Sequence, residues 1–331
     1  MLLSFCLIYA GMEIYVEFAV DDGMQYDLEM WRYSRKVKRI SSDPKIGHEH
    51  RPNAHARLMG ADVRTNADGL RDVDIPLEKP PGVVRIVMLG DSLTFGWGVP
   101  IENTYTKRVE TLLRKDGLPV DVINTGVGNY NTSMEVEYFL ERGVKYRPDI
   151  VVLNYFINDA EPMPSYETNV FSRNLRAYVY FASRLDAAFR LASLGEHADW
   201  RHYYGALYDE KQNGEGLRAV QSATARLAEY CRSNGIRLLL VNYPELRQPK
   251  DYPFPFVESY VEKLAKENGI EYFSLLSSVR DKVPEKLWIT APDPHPSSEA
   301  HAIFAEALAP RLDAATRAVI RARTGRASAN H

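Results

Sequence analysis

Between residue 83 and residue 310 the chain alternates short apolar runs with longer amphipathic ones, and this rhythm limits the fold more than any other feature. Strand-like runs are read at 83–89, 120–124, 149–156, 236–242 and 270–275. Helical patterns are read at 105–114, 133–141, 217–232 and 256–266, with a last one from about Ser298. Apolar strands separated by helix-length crossovers specify a parallel sheet covered by helices on both faces. The expected fold is therefore α/β, a three-layer α/β/α sandwich around a mainly parallel central sheet. Thr132 and Glu135 have the spacing of a capping box, which starts a helix after the second strand. Gly235 and Gly269 each follow a helical pattern, as helix-ending residues do. Pro310 is expected to kink or end the final helix.

The lengths around this rhythm divide the chain further. Residues 1–40 form an apolar, helical N-terminal segment, and 41–82, rich in Pro, Gly, Asn and Asp, form an extended lead-in packed on the main domain. The domain proper runs 83–320 with a helical insertion at 160–216, followed by a frayed polar tail at 321–331. Within the insertion, Leu175, Tyr178, Val179, Ala182, Leu185, Phe189 and Ala192 line one helical face. That face suits packing on the sheet, or a lid or acceptor-binding surface over the site.

A net charge of -3 over 331 residues gives no basic field for a phosphate backbone, so nucleic acid is not an expected partner. Small molecules and uncharged polymers fit better. The two cysteines, Cys6 and Cys231, are too few for a disulfide framework, and Cys231 falls in the apolar register of a helix. Residues 1–12 are apolar but lack a basic leader and are followed by Glu13 and Glu17. The run is short of the roughly 20 residues of a full span, so a truncated anchor, a weak signal-anchor and a packed helix all remain open. An anchor would tether an extracytoplasmic domain to a membrane, and a packed helix would leave a cytoplasmic protein. The basic cluster Arg32, Arg35, Lys36, Lys38, Arg39 argues against export of the domain C-terminal to it.

In an open parallel sheet, ligands sit beyond the carboxyl ends of the strands. The polar residues there are Gly90-Asp91-Ser92, the loop from Asn124 to Asn131, Asn158-Asp159, and Asp293 with His295 before the last helix. Together they supply a hydroxyl nucleophile, an imidazole base, a carboxylate for that base and amide donors for an oxyanion, the set that acyl transfer requires. Four ordered blocks, "GDSL" at 90–93, "INTGVGNYNT" at 123–132, "FIND" at 156–159 and "DPHP" at 293–296, resemble the GDSL or SGNH hydrolase superfamily. The resemblance spans roughly residues 83–310. It implies a flavodoxin-like sandwich and a serine esterase or deacetylase acting on a small ester or an acylated glycan. An O-acyltransferase modifying a polysaccharide with the same residues is the alternative. Carried over by position, Ser92 is the nucleophile, His295 the base and Asp293 its partner, with Ser92, Asn129 and Asn158 forming the oxyanion hole. Two features depart from the family pattern. Asn129 stands where a glycine is usual, leaving open whether its amide or that of Gly128 serves the hole. Asp293 lies two residues before His295 instead of three, a reach that a bend at Pro294 would allow.

Other motifs carry less. His301 falls in a helical apolar register and reads as structural, while Asp91 and Asp159 read as loop braces. Trp97 suits a pocket wall or the core equally. His48, His50 and His55 lack the framework of a metal site, and "GVGNYN" lacks the third glycine and the acidic partner of a dinucleotide fingerprint. No metal or cofactor is expected.

Overall fold

The computed structural model describes residues 2–164, 169–194, 199–291 and 293–329. Parts of the expected insertion, Pro292 and the last two residues of the expected tail lie outside the described residues.

A short apolar helix α1 (Leu2–Tyr15) continues through a π-turn at Val16–Val20 into α2 (Tyr26–Lys36). The hairpins β1 (Lys38–Ile40) with β2 (His48–His50) and β3 (His55–Leu58) with β4 (Ala61–Arg64) come after it. The lead-in is thus folded into two antiparallel ribbons where the sequence reads as extended. Next come β5 (Val84–Leu89), α3 (Ser92–Phe95), α4 (Tyr105–Lys115), β6 (Val120–Asn124), α5 (Thr132–Tyr138) and β7 (Ile150–Tyr155). The insertion contributes α6 (Val170–Asn174), α7 (Arg176–Leu194) and α8 (Trp200–Leu207). The remainder is α9 (Glu210–Ser233), β8 (Arg237–Asn242), α10 (Pro255–Asn268), β9 (Glu271–Ser274), α11 (Leu276–Val279) and α12 (Pro284–Leu287), then β10 (Trp288–Thr290), β11 (Asp293–Pro296) and α13 (Ser298–Ala329).

The central sheet has five parallel strands in the order β6-β5-β7-β8-β9. This is the 2-1-3-4-5 order of flavodoxin-like sheets. Strand alternation feeds a separate core on each face. Val87, Leu89, Val151, Leu153 and Leu240 pack under α5, α9 and α10. Ile86, Met88, Val152, Leu239 and Val241 pack under α4 and α13. The expected three-layer α/β/α sandwich is the fold.

Three local expectations change. Asn131, not Thr132, caps α5, taking the Met134 N–H on its side chain at 3.0 Å, and neither Glu135 oxygen has a hydrogen-bond partner. Asn131 holds the extended backbone a cap needs, which makes Thr132 the first helical residue. The last helix runs through Pro310 to Ala329, and beyond the expected start of the tail Arg323 donates to the Val83 carbonyl at 3.1 Å and pairs with Asp149. The apolar face of α7 does not lie on the sheet. This helix packs on α1 and α2, burying Ala177 with Val16 and Leu28, while Leu185 and Phe189 are exposed. No helix among the described residues is long and apolar enough to cross a membrane.

Candidate active site

The cores place the carboxyl ends of β5, β6 and β7 side by side, and the loops that leave them interlock. A Cβ on Gly90 would lie 2.0 Å from Thr94 Oγ1, and one on Gly126 would lie 2.3 Å from the Phe95 nitrogen. Only bare backbone allows that approach. Asp91 then caps α3, its Oδ1 accepting the Leu93 N–H at 2.9 Å, and Ser92 is delivered at the tip of the turn. Asp91 is buried; burial raises its carboxyl pKa, against the hydrogen bonds from Leu93, Asn158 and Ser92. Behind the turn, buried Arg71 donates to the carbonyls of Phe95, Gly96 and Val99. Burial lowers its pKa to about 10.

Across from Ser92, the β10/β11 hairpin presents Asp293 and His295. Residues two apart on a strand share a face, so the short Asp-Pro-His spacing works by strand alternation and needs no special bend. His295 Nδ1 lies 2.5 Å from Asp293 Oδ1, and Nε2 lies 2.8 Å from Ser92 Oγ. These partners assign the proton to Nδ1 and leave Nε2 to accept from the serine. Asp293 is fully buried, and its Oδ2 accepts the Trp97 indole N–H at 2.8 Å. Burial pushes its carboxyl up, but the hydrogen bonds and charge of His295 and the Trp97 bond prevail, holding it below the usual range. Trp97 and Tyr26 flank the imidazole, each with its ring centroid 6.0 Å away.

The opposite side of Ser92 is the Asn129 loop, braced by residues of α2, β1 and β2. Asn129 adopts a left-handed backbone with φ of 65°. That conformation costs asparagine less than most residues. Gly128 just before it is fully engaged: its N–H donates to Tyr33 Oη at 2.9 Å, and its carbonyl receives Lys38 Nζ at 2.5 Å and His48 Nε2 at 3.0 Å. A Cβ there would lie 2.8 Å from the Tyr33 ring. Tyr33 in turn meets His50 Nε2 at 2.6 Å, and His50 Nδ1 reaches the Gly69 carbonyl at 3.1 Å. Burial and the charge of Lys38 lower both histidine pKa values to about 3, which keeps the rings neutral for these bonds. Lys38 also reaches Asn129 Oδ1 at 2.9 Å, and burial lowers its pKa to about 7. The N–H groups of Ser92 and Asn129 have no acceptor among the described residues. Asn158 sits in the 3₁₀ turn Ile157–Ala160 after β7 on the wall of the same cavity, and its Oδ1 is buried without a hydrogen-bond partner among the described residues.

The structure thus brings Ser92, His295, Asp293, Asn129 and Asn158 together around a cavity of about 270 Å³. Tyr26, Phe156 and Tyr204 supply aromatic walls, with Glu161, Glu245 and Arg247 at its polar side. The other candidates stay outside it. His301 accepts the Tyr105 N–H on Nδ1 at 3.1 Å and stacks on that ring. Asp159 Oδ2 accepts the Phe156 N–H at 3.1 Å as a brace. Burial, and for each the charge of its neighbours among Asp91 and Asp159, keeps Asp159 and Glu135 well above the usual carboxylate range. Sequence reading missed Tyr33, Lys38, His48, His50 and Arg71. The only available signal was the His-x-His spacing, which on a strand points both rings the same way.

The family model for GDSL-like lipases and acylhydrolases matches residues 88–303. The chain belongs to the GDSL-like lipase/acylhydrolase family. It is an ester-cleaving hydrolase. Solved structures similar to this GDSL-family hydrolase include a G-D-S-L family protein from Desulfitobacterium hafniense DCB-2, at 16% identity over 69% of this chain and 98% of that one, TM-score 0.42. TesA matches at 16% identity over 70% and 99%, TM-score 0.46. The acetylxylan esterase Axe2 from Geobacillus stearothermophilus matches at 16% identity over 68% and 92%, TM-score 0.44. No curated protein matches the chain. It is the sequence match that assigns the family.

Proposed function

We propose that this hydrolase cleaves short-chain esters through an acyl-enzyme on Ser92, and that its substrates are small esters or acylated glycans. The observation that carries the reading is the unbroken chain Ser92 Oγ to His295 Nε2 at 2.8 Å and His295 Nδ1 to Asp293 Oδ1 at 2.5 Å. In this mechanism Ser92 Oγ attacks the ester carbonyl while its proton passes to His295 Nε2, and Asp293 stabilises the imidazolium. The carbonyl oxygen becomes an oxyanion facing the Ser92 N–H, the Asn129 N–H and the Asn158 amide. Asn129 supplies the second donor because the Gly128 N–H is already spent on Tyr33. Collapse of the intermediate breaks the bond to the alcohol, which leaves with the proton from His295. Water activated by His295 then attacks the acyl-serine, releasing the acid and restoring Ser92.

A cavity of about 270 Å³ with carboxylates and an arginine on its wall favours a short acyl group on a polar alcohol over a long lipid chain. The test is a panel of p-nitrophenyl esters of rising chain length with acetylated oligosaccharides, run on wild type and Ser92→Ala. The reading expects acetate and propionate to exceed octanoate, free acid as the product, and no turnover by Ser92→Ala. Undiminished hydrolysis by Ser92→Ala would sink it.

A further inference from the structure

A second and larger hollow of about 680 Å³ adjoins the site, and Asn129 lines both. Its described lining holds Arg35, Lys38, Arg39, Arg51 and Arg173 and no Asp or Glu. Three of these cations lack a carboxylate partner among the described residues. Arg35 lies over the Trp31 ring, 4.9 Å from its centroid, and donates to the Arg173 carbonyl. Arg51 has no side-chain hydrogen bond or ion pair among the described residues, and Lys38 donates to the neutral oxygens of Gly128 and Asn129 and lies over the Tyr33 ring, 4.5 Å from its centroid. Arg39 is matched by Glu49 at 2.7 Å. The catalytic cavity has the opposite balance, with Glu161, Glu245 and Asp293 against Arg247 and His295. In a chain of net charge -3, this cationic hollow is a local feature.

Guanidinium groups such as Arg35 and Arg51, which line an open hollow with no carboxylate partner among the described residues, recognise carboxylate, sulfate or phosphate through paired N–H donors. The hollow's volume admits a sugar ring or two, and the half-buried Trp31 with Ser34 and Asn174 gives it a mixed apolar and polar wall. We infer that the hollow is a subsite for an anionic saccharide unit of the same molecule whose ester is cleaved at Ser92, so that the substrate is an acylated acidic glycan. The inference rests on the esterase reading. The acidic catalytic cavity takes the uncharged acylated unit, and the negative charge lies one or two units away, past Asn129. This placement also keeps an acidic unit away from Glu161, the cavity carboxylate without a cationic partner among the described residues, Glu245 being paired with Arg247 at 2.6 Å.

The test compares p-nitrophenyl acetate, an acetylated neutral xylo-oligosaccharide and an acetylated oligogalacturonate on wild type and an Arg35→Glu/Arg51→Glu double variant. Both arginines are surface-exposed, so the fold tolerates the change. The expected result is a wild-type preference for the acidic over the neutral oligosaccharide of about tenfold in kcat/KM, lost in the double variant and at high salt, with p-nitrophenyl acetate unchanged. Calorimetric binding of non-acetylated oligogalacturonate, a sulfated oligosaccharide and inorganic phosphate to Ser92→Ala distinguishes the source of the anion. Binding of either saccharide, absent in the charge-reversed form, supports the subsite; binding of inorganic phosphate alone overturns it. Wild type that cleaves p-nitrophenyl acetate but treats the oligosaccharides alike, with no saccharide binding, overturns the subsite and leaves Ser92 standing. Wild type inactive on every ester overturns both.

Discussion

The two flanks of Ser92 are built on different principles. On the proposed base side, Asp293 and His295 belong to a single four-residue strand, held from elsewhere by the Trp97 bond to Asp293 and the Tyr26 and Trp97 rings beside the imidazole. On the oxyanion side, the Asn129 loop is held by Lys38, His48 and Tyr33, which lie 90, 80 and 95 residues from the Gly128 they grip. In the proposed mechanism the base side concentrates its chemistry in two side chains, so the loss of either is expected to be severe. The proposed oxyanion side distributes positioning over hydrogen bonds from three separate residues, so its losses are graded.

Breaking the base side has the largest expected effect. Asp293→Asn should lower kcat by about 10⁴-fold, because an amide partner stabilises the wrong imidazole tautomer, as in serine proteases; stopped assays on p-nitrophenyl acetate measure it. A variant within tenfold of wild type would show that the strand pair does not act as a unit. Asn158→Ala comes next, with a loss of about 10²- to 10³-fold in kcat for one oxyanion donor and little change in KM. Trp97→Phe removes one charge-assisted bond to Asp293, for which a loss of roughly 10- to 100-fold in kcat is the ceiling.

The smallest effect belongs to α2. Tyr33→Phe leaves the Gly128 N–H and His50 without their shared partner and should lower kcat by about 2- to 10-fold. Because Tyr33 positions the loop without touching substrate, KM should hold while the melting temperature falls. An effect on the scale of Asn158→Ala would erase the contrast between the two flanks.

This contrast also explains what could be read from the sequence. The sandwich was legible because strand and helix periodicities are local, and the four blocks fall at strand ends where topology gathers them. Asp293 and His295 were legible as a pair for the same reason, although their common face comes from β11 and not from a bend at Pro294. The role of 26–64 was not legible: the strands of its hairpins are only three or four residues long, and their stability comes from Tyr33, Val37 and Leu58 packing on Phe95 and Trp97. Nothing in "HEHRPNAH" says that His48 grips a loop eighty residues on, or that His50 backs the Tyr33 hydroxyl that grips the same loop. The packing of α7 escaped for a related reason, since an apolar stripe does not say which partner covers it, and here α1 and α2 cover only part.

Ser92, with its Oγ 2.8 Å from His295 Nε2, is the proposed nucleophile of acyl transfer. Labelling wild type and Ser92→Ala with a fluorophosphonate, followed by intact mass and peptide mapping, tests it most directly. The account predicts a single adduct on the peptide bearing Ser92, abolished in Ser92→Ala and much slowed in Asp293→Asn. An adduct on another serine, or an unlabelled wild type that still hydrolyses p-nitrophenyl acetate, would contradict it.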